Sequence, residues 1–190
     1  KLKWHYQTTP ADTWDYTATQ HIILADLEID GKLTKALMQA PKNGFFYILN
    51  RENGNLLSAK NYIPISWASH VDIETGRPVE TDGDYSLAPK LVYPSALGGH
   101  NWQPMSYSPQ TNLVYIPSIS EPMLYIHDAN FKLRKNNWNT GVDFAQMVAL
   151  IKNEAPPETG GSLLAWDPDK QKAAWAVPRP GVINGGILST

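Results

Sequence analysis

At 190 residues with 42% hydrophobic side chains the chain can bury a sizeable core, and its net charge of −2 excludes the basic excess that nucleic-acid or anionic-membrane partners require. The absence of cysteine removes disulfides, thiolate metal sites and covalently attached c-type haem from this stretch. No apolar window of about 18 residues is present, so no helical membrane span is expected.

Seven Trp, nine Tyr, thirteen Gly and fifteen Pro describe strands punctuated by turns. The N-terminus has neither Met nor a signal-peptide pattern, and Lys1–Gln7 alternates like the middle of a strand. Phe46–Ser58 then reads as strand, Asx-initiated turn, strand, and Val71–Val79 repeats the turn. Ser108–Tyr115 is a variant of the same plan. Residues 121–160 read as an insertion around the apolar run Phe144–Ile151, either a short helix or a buried strand. Glu154–Gly161 reads as a loop before the last unit, Leu163–Trp175, which closes on a Trp. The lone Trp4 fits the closing Trp of a unit whose first half was cut away. A strand is expected to begin near Gly185–Thr190, so both ends look cut from a longer protein. No linker divides the chain, and residues 1–190 are expected to form one partial domain. Repeated hairpins of this kind point to an all-β fold of propeller blades, whose radial repetition leaves only short, protected edges.

Two polar stretches precede strands. In Gly98-Gly99-His100-Asn101-Trp102 an amide that donates and accepts at once stands beside an indole with a flat face, a pairing suited to a planar, oxygen-rich cofactor. The second is Pro41-Lys42-Asn43-Gly44. The plain alternatives are a turn Asn101 with a core Trp102, a solvated turn Lys42 and a simple turn glycine at Gly185. Trp4, Trp14, Trp166 and Trp175 read as packing residues. The five histidines lack metal-ligand spacing, Asp72–Gly76 departs from the calcium-loop pattern, and neither a nucleophile elbow nor a phosphate-binding glycine loop is visible. His100 reads as a support for Asn101.

Four stretches, kept in order along the chain, resemble the quinoprotein alcohol dehydrogenases, propeller enzymes that use pyrroloquinoline quinone (PQQ). They are Trp4–Tyr16, Lys42–Arg51, Pro94–Trp102, and the terminal unit with Trp166-Asp167 and Trp175. The resemblance implies a sector, from the C-terminal part, of an eight-bladed β-propeller held by tryptophan docking motifs. It implies that Lys42 reaches the quinone oxygens, that Asn101 and Trp102 line the cofactor pocket, and that backbone at Gly185, in Asn184-Gly185-Gly186, approaches the ring system. The family's catalytic aspartate and calcium ligands are expected before Lys1, and catalysis is not assigned to Asp12 or Asp15.

The implied reaction is oxidation of primary or secondary alcohols by hydride transfer to PQQ held over calcium. The implied compartment is periplasmic, with a cytochrome or other acceptor taking the electrons. A haem c domain in the parent protein is left open. Phe144, Met147 and Leu150 are expected to wall the alcohol pocket or to pack under a loop. The rival reading is a non-catalytic propeller scaffold for protein assembly.

Overall fold

The computed structural model describes residues 1–29, 31–151, 159–182 and 185–190. The chain enters through an irregular segment and then forms β1 (Ile23–Ile29), β2 (Lys32–Gln39), β3 (Phe45–Asn50) and β4 (Leu56–Asn61). A hairpin of β5 (Ala68–Asp72) and β6 (Arg77–Glu80) follows, then β7 (Lys90–Val92), β8 (Ser106–Ser108), β9 (Leu113–Ser120) and β10 (Met123–Tyr125). Helix α1 (Phe144–Ile151) precedes the last hairpin, β11 (Gly160–Asp167) and β12 (Lys172–Arg179). Strands β1 to β4 make one four-stranded antiparallel sheet in chain order; β8, β9, β11 and β12 make a second, with β10 and α1 inserted between β9 and β11. Two-stranded sheets β5-β6 and β7-β10 complete the set.

The repeated turns form as their residues dictate. Asn50 Oδ1 accepts from the Glu52 amide at 2.9 Å, Asp72 Oδ1 from the Thr75 amide at 2.7 Å, and Asp167 Oδ1 from the Lys170 amide at 3.0 Å. Each short side chain satisfies the backbone where the strand ladder stops.

Alternation on β3 builds two cores. Phe46 and Ile48 face one cluster, where they meet Val114, Ile116, Leu164 and Trp166 of the second sheet. Phe45 and Tyr47 face the other, with Trp14, Tyr16, Trp67, Val71, Val92 and Tyr125. The two four-stranded sheets therefore pack face to face as neighbouring blades, and the Trp166 ring lies 5.6 Å from that of Phe46. This is the docking arrangement expected of Trp166.

Several sequence expectations are corrected. Lys1–Gln7 is not a strand, because no neighbouring strand pairs with it; Trp4 instead lays its indole on Gly54 and donates from Nε1 to Arg51 O at 3.0 Å. No strand begins over Gly185–Thr190. Phe144–Ile151 is a helix with no buried residue, so Phe144 and Leu150 pack under no loop among the described residues. Of the expected loop Glu154–Gly161, residues 154–158 lie outside the described residues, and Gly160 and Gly161 already pair with β9. Among the described residues no helix is long and apolar enough to cross a membrane.

Trp67 is fully buried, with ring neighbours Trp14 at 5.2 Å, Tyr16 at 5.6 Å and Phe45 at 6.0 Å. Replacing it by Ala in the full-length protein is expected to lower stability by about 3–5 kcal/mol, because the indole's volume is left empty. Denaturant unfolding checks this, and a loss below about 1 kcal/mol would show that the cluster collapses into the space.

Candidate cofactor site

β2 ends at Gln39, and after Ala40 and Pro41 the chain turns through Lys42, Asn43 and Gly44 into β3. This turn is buried: Lys42 is 8% exposed and Asn43 not at all. Asn43 satisfies itself completely. Its Oδ1 accepts from the Phe45 amide at 3.1 Å, and its Nδ2 donates to Tyr47 OH at 2.9 Å and Thr9 Oγ1 at 3.2 Å. Its backbone carbonyl accepts from Trp67 Nε1 at 2.8 Å. Tyr62 OH donates to Pro41 O at 2.8 Å and fixes the other end of the turn.

A buried ammonium is costly unless it is paired. Lys42 Nζ donates to Asp15 Oδ2 at 2.8 Å and to Asp15 O at 3.0 Å. Local sequence explains why Asp15 is there. Trp14 and Tyr16 sink into the core on either side, which leaves the residue between them facing outward. Asp12 braces the bend, its two carboxylate oxygens accepting from the Trp14 and Tyr16 amides at 2.9 and 2.7 Å. Burial raises the Asp12 pKa above the ordinary value, opposed by those two amides. Asp15 takes a φ of +67°, a left-handed conformation that Asp tolerates better than most residues. Its side chain is 66% exposed although it is paired. The sequence reading set Asp15 aside; the fold puts its carboxylate on Lys42.

The second stretch lies directly against this turn. The Gly99 amide donates to Lys42 O at 2.9 Å, and Ile119 N donates to Gly99 O at 2.7 Å, so the loop is tied to both blades. Gly98 has a φ of +78°, and a Cβ there would stand 2.5 Å from Lys42 Cα and Cβ. Only glycine admits both the dihedral and the approach.

Asn101 shapes the loop, with Nδ2 donating to Leu97 O at 2.7 Å and Oδ1 accepting from the Trp102 amide at 2.8 Å. Trp102 is not a core residue; it is 74% exposed. His100 does not support Asn101 through its side chain, because its ring nitrogens face the carbonyls of Ala40 and Gln103.

Gly185 is exposed, and a Cβ on it would meet nothing within 4 Å, so its own position shows no close approach. Its neighbour Gly186 does: a Cβ there would fall 2.6 Å from Pro104 Cδ, and the Ile187 amide donates to Pro104 O at 2.8 Å. Asn184 lies outside the described residues. The fold thus brings Lys42, Asp15 and the Gly98–Trp102 loop together and carries the Gly186 segment to the end of that loop. Among the described residues no group of three or more His, Cys, Asp or Glu is placed to hold a metal ion.

Residues 1–81 match the family model described as the PQQ glucose/ethanol/alcohol dehydrogenase β-propeller domain. The quinohemoprotein alcohol dehydrogenase ADH IIB of Pseudomonas putida is 52% identical over all of this chain and 27% of its own length. The solved structure of ADHIIG from the same organism superposes with a TM-score of 0.87 at 47% identity, over 98% of this chain and 28% of that one. The crystal structure of the Comamonas testosteroni quinohemoprotein alcohol dehydrogenase gives 0.86 at 43% identity, over 97% of this chain and 28% of that one. Fold and similarity together define a sector of a PQQ β-propeller. Along nearly its whole length the chain is similar to quinoprotein alcohol dehydrogenases, and it spans about a quarter of the length of these relatives, the matched share being 27% in ADH IIB.

Two glycine substitutions separate backbone strain from contact in the full-length protein. Gly31 has a φ of +73° and open space around it, so Gly31→Ala is expected to cost only the dihedral, about 1–2 kcal/mol. Gly98→Ala adds the collision with Lys42 and is expected to lower the thermal midpoint several degrees further. Equal shifts in the two variants would mean that the Gly98 loop is free to move off Lys42.

Proposed function

We propose that this chain supplies part of the cofactor pocket of a PQQ-dependent dehydrogenase that oxidises primary or secondary alcohols to carbonyls. The observation that carries this is the Asp15–Lys42 pair, at 2.8 Å and anchored by a turn with almost no exposure, to which the loop that carries Asn101 and Trp102 is tied through the Gly99 amide. The residues fit an oxygen-bearing planar group. Two of the three Lys42 donors end on Asp15, and the third is the one for a quinone oxygen. Asn101, after its bonds to Leu97 and Trp102, keeps an amide hydrogen and a lone pair for the ring edge. Trp102 offers its face, and backbone at Gly185 would come close to the ring system. When bound, PQQ supplies the two-electron acceptor for alcohol oxidation.

The chain's own residues then divide the work. Lys42 Nζ places positive charge where negative charge develops. The alcohol's hydroxyl proton goes to the family's catalytic aspartate, which the resemblance places before Lys1. Asp15 keeps the Lys42 ammonium oriented. Calcium, held by residues outside this stretch, and a periplasmic setting belong to the same reading. So does a cytochrome or other acceptor for the electrons. The matched relatives are named quinohemoproteins, which favours a haem c domain elsewhere in the parent protein.

In the full-length enzyme loaded with PQQ and calcium, Asp15→Asn is expected to reduce both turnover and PQQ affinity, because Lys42 loses its ion-pair partner. Lys42→Ala is expected to reduce both turnover and PQQ affinity. Trp102→Ala is expected to weaken PQQ binding by about tenfold with little change in thermal midpoint, since stacking contributes about 0.5–1.5 kcal/mol beyond area. Steady-state kinetics and the quinone absorbance band check all three. Unchanged turnover and PQQ affinity in Asp15→Asn would remove its role in orienting Lys42. No absorbance change on adding PQQ and calcium to wild-type protein would remove the reading as a whole.

A further inference from the structure

His100 is a buried titratable group that the proposed chemistry leaves unused. Its side chain is fully enclosed, with Nδ1 2.8 Å from Ala40 O and Nε2 2.6 Å from Gln103 O. Backbone carbonyls only accept. A neutral imidazole has one N–H, so it would satisfy one carbonyl and set a lone pair against the other; an imidazolium donates to both. The two carbonyls belong to the two halves of the site. Ala40 precedes Lys42 by two residues, and Gln103 directly follows Trp102.

We propose that His100 is a positioning residue for the cofactor site, tying the turn that carries Lys42 to the loop that carries Asn101 and Trp102 through both protonated ring nitrogens. This rests on the reading of the site as a PQQ pocket. Burial holds the His100 pKa below its ordinary value, only partly opposed by the two carbonyls. His21, on the segment before β1 with Nδ1 2.8 Å from Met105 O, acts on it as a like charge. The charged groups on the neighbouring turn and segment, Lys42 and Asp15, are paired with each other.

PQQ binding that requires the tied geometry favours protonated His100, so the pKa is higher in the loaded protein than in the free one. Affinity is then greatest below the free-protein pKa and falls as pH rises through the loaded-protein pKa.

The test is the PQQ dissociation constant of the full-length apoenzyme with calcium, read from the quinone absorbance and protein fluorescence between about pH 5 and pH 8. Wild-type affinity is expected to fall about tenfold across that range. His21→Gln is expected to keep the fall. His100→Gln is expected to abolish it, because an amide donates without titrating, and His100→Asn gives the same flat profile should the longer amide not be accommodated. A flat wild-type profile, a fall that survives in the His100 variants, or one that disappears in His21→Gln would overturn the proposal while leaving PQQ binding intact. Wild-type protein that binds no PQQ at any pH would overturn the site reading itself.

Discussion

The rest of the structure depends on burying one polar turn. Residues 41–44 bring a lysine, an asparagine and several backbone amides and carbonyls to the end of the first blade, where water is excluded. Each of those groups must find a partner or cost free energy. Asn43 draws in Thr9, Tyr47 and Trp67, Tyr62 caps Pro41, and the Lys42 carbonyl takes the Gly99 amide. The ammonium draws in Asp15. The geometry of the site is therefore a consequence of satisfying this turn.

The blades supply the frame. The central position of β3 makes it apolar on both faces, and its alternate residues serve two cores at once. One core joins the blades through Phe46 and Trp166; the other fastens the Trp14–Tyr16 segment beneath the β5-β6 and β7-β10 pairs. Aromatic hydroxyls complete that fastening, with Tyr16 donating to Pro94 O at 2.6 Å and Tyr125 to Trp14 O at 3.0 Å. Burial pushes both tyrosine pKa values up, which keeps these hydroxyls as donors across the physiological range. Asp15 stands between two anchored aromatics and holds its left-handed backbone because its neighbours leave it no alternative.

Much of the fold was legible in the sequence because hairpins with Asx turns are local. Asp72, Asn50 and Asp167 each bond amides two or three residues ahead, and such spacing is visible in a string of letters. Strand assignment failed at Lys1–Gln7, where alternation is present but no partner strand is, and ladder pairing cannot be read from one segment alone. The helix-or-strand ambiguity at Phe144–Ile151 has the same origin, since a short apolar run fits either period.

For the site, the sequence by itself determined the residue types: a lysine beside a glycine-flanked asparagine, and Gly-Gly-His-Asn-Trp, whose glycines proved to be sites of close approach to Lys42 and to Tyr62 and Ile63. Their order along the chain also sufficed to mark the family resemblance. Only the tertiary structure decided which groups meet. It placed Asp15 on Lys42 across a separation of 27 residues, turned Trp102 outward rather than into the core, and set His100 between two carbonyls, one of them 60 residues away. It also packed Gly186 against Pro104. The physical reason is that pairing a buried charge or a buried donor is a contest among all groups the fold brings within reach, and that set is defined by blade packing rather than by sequence neighbours.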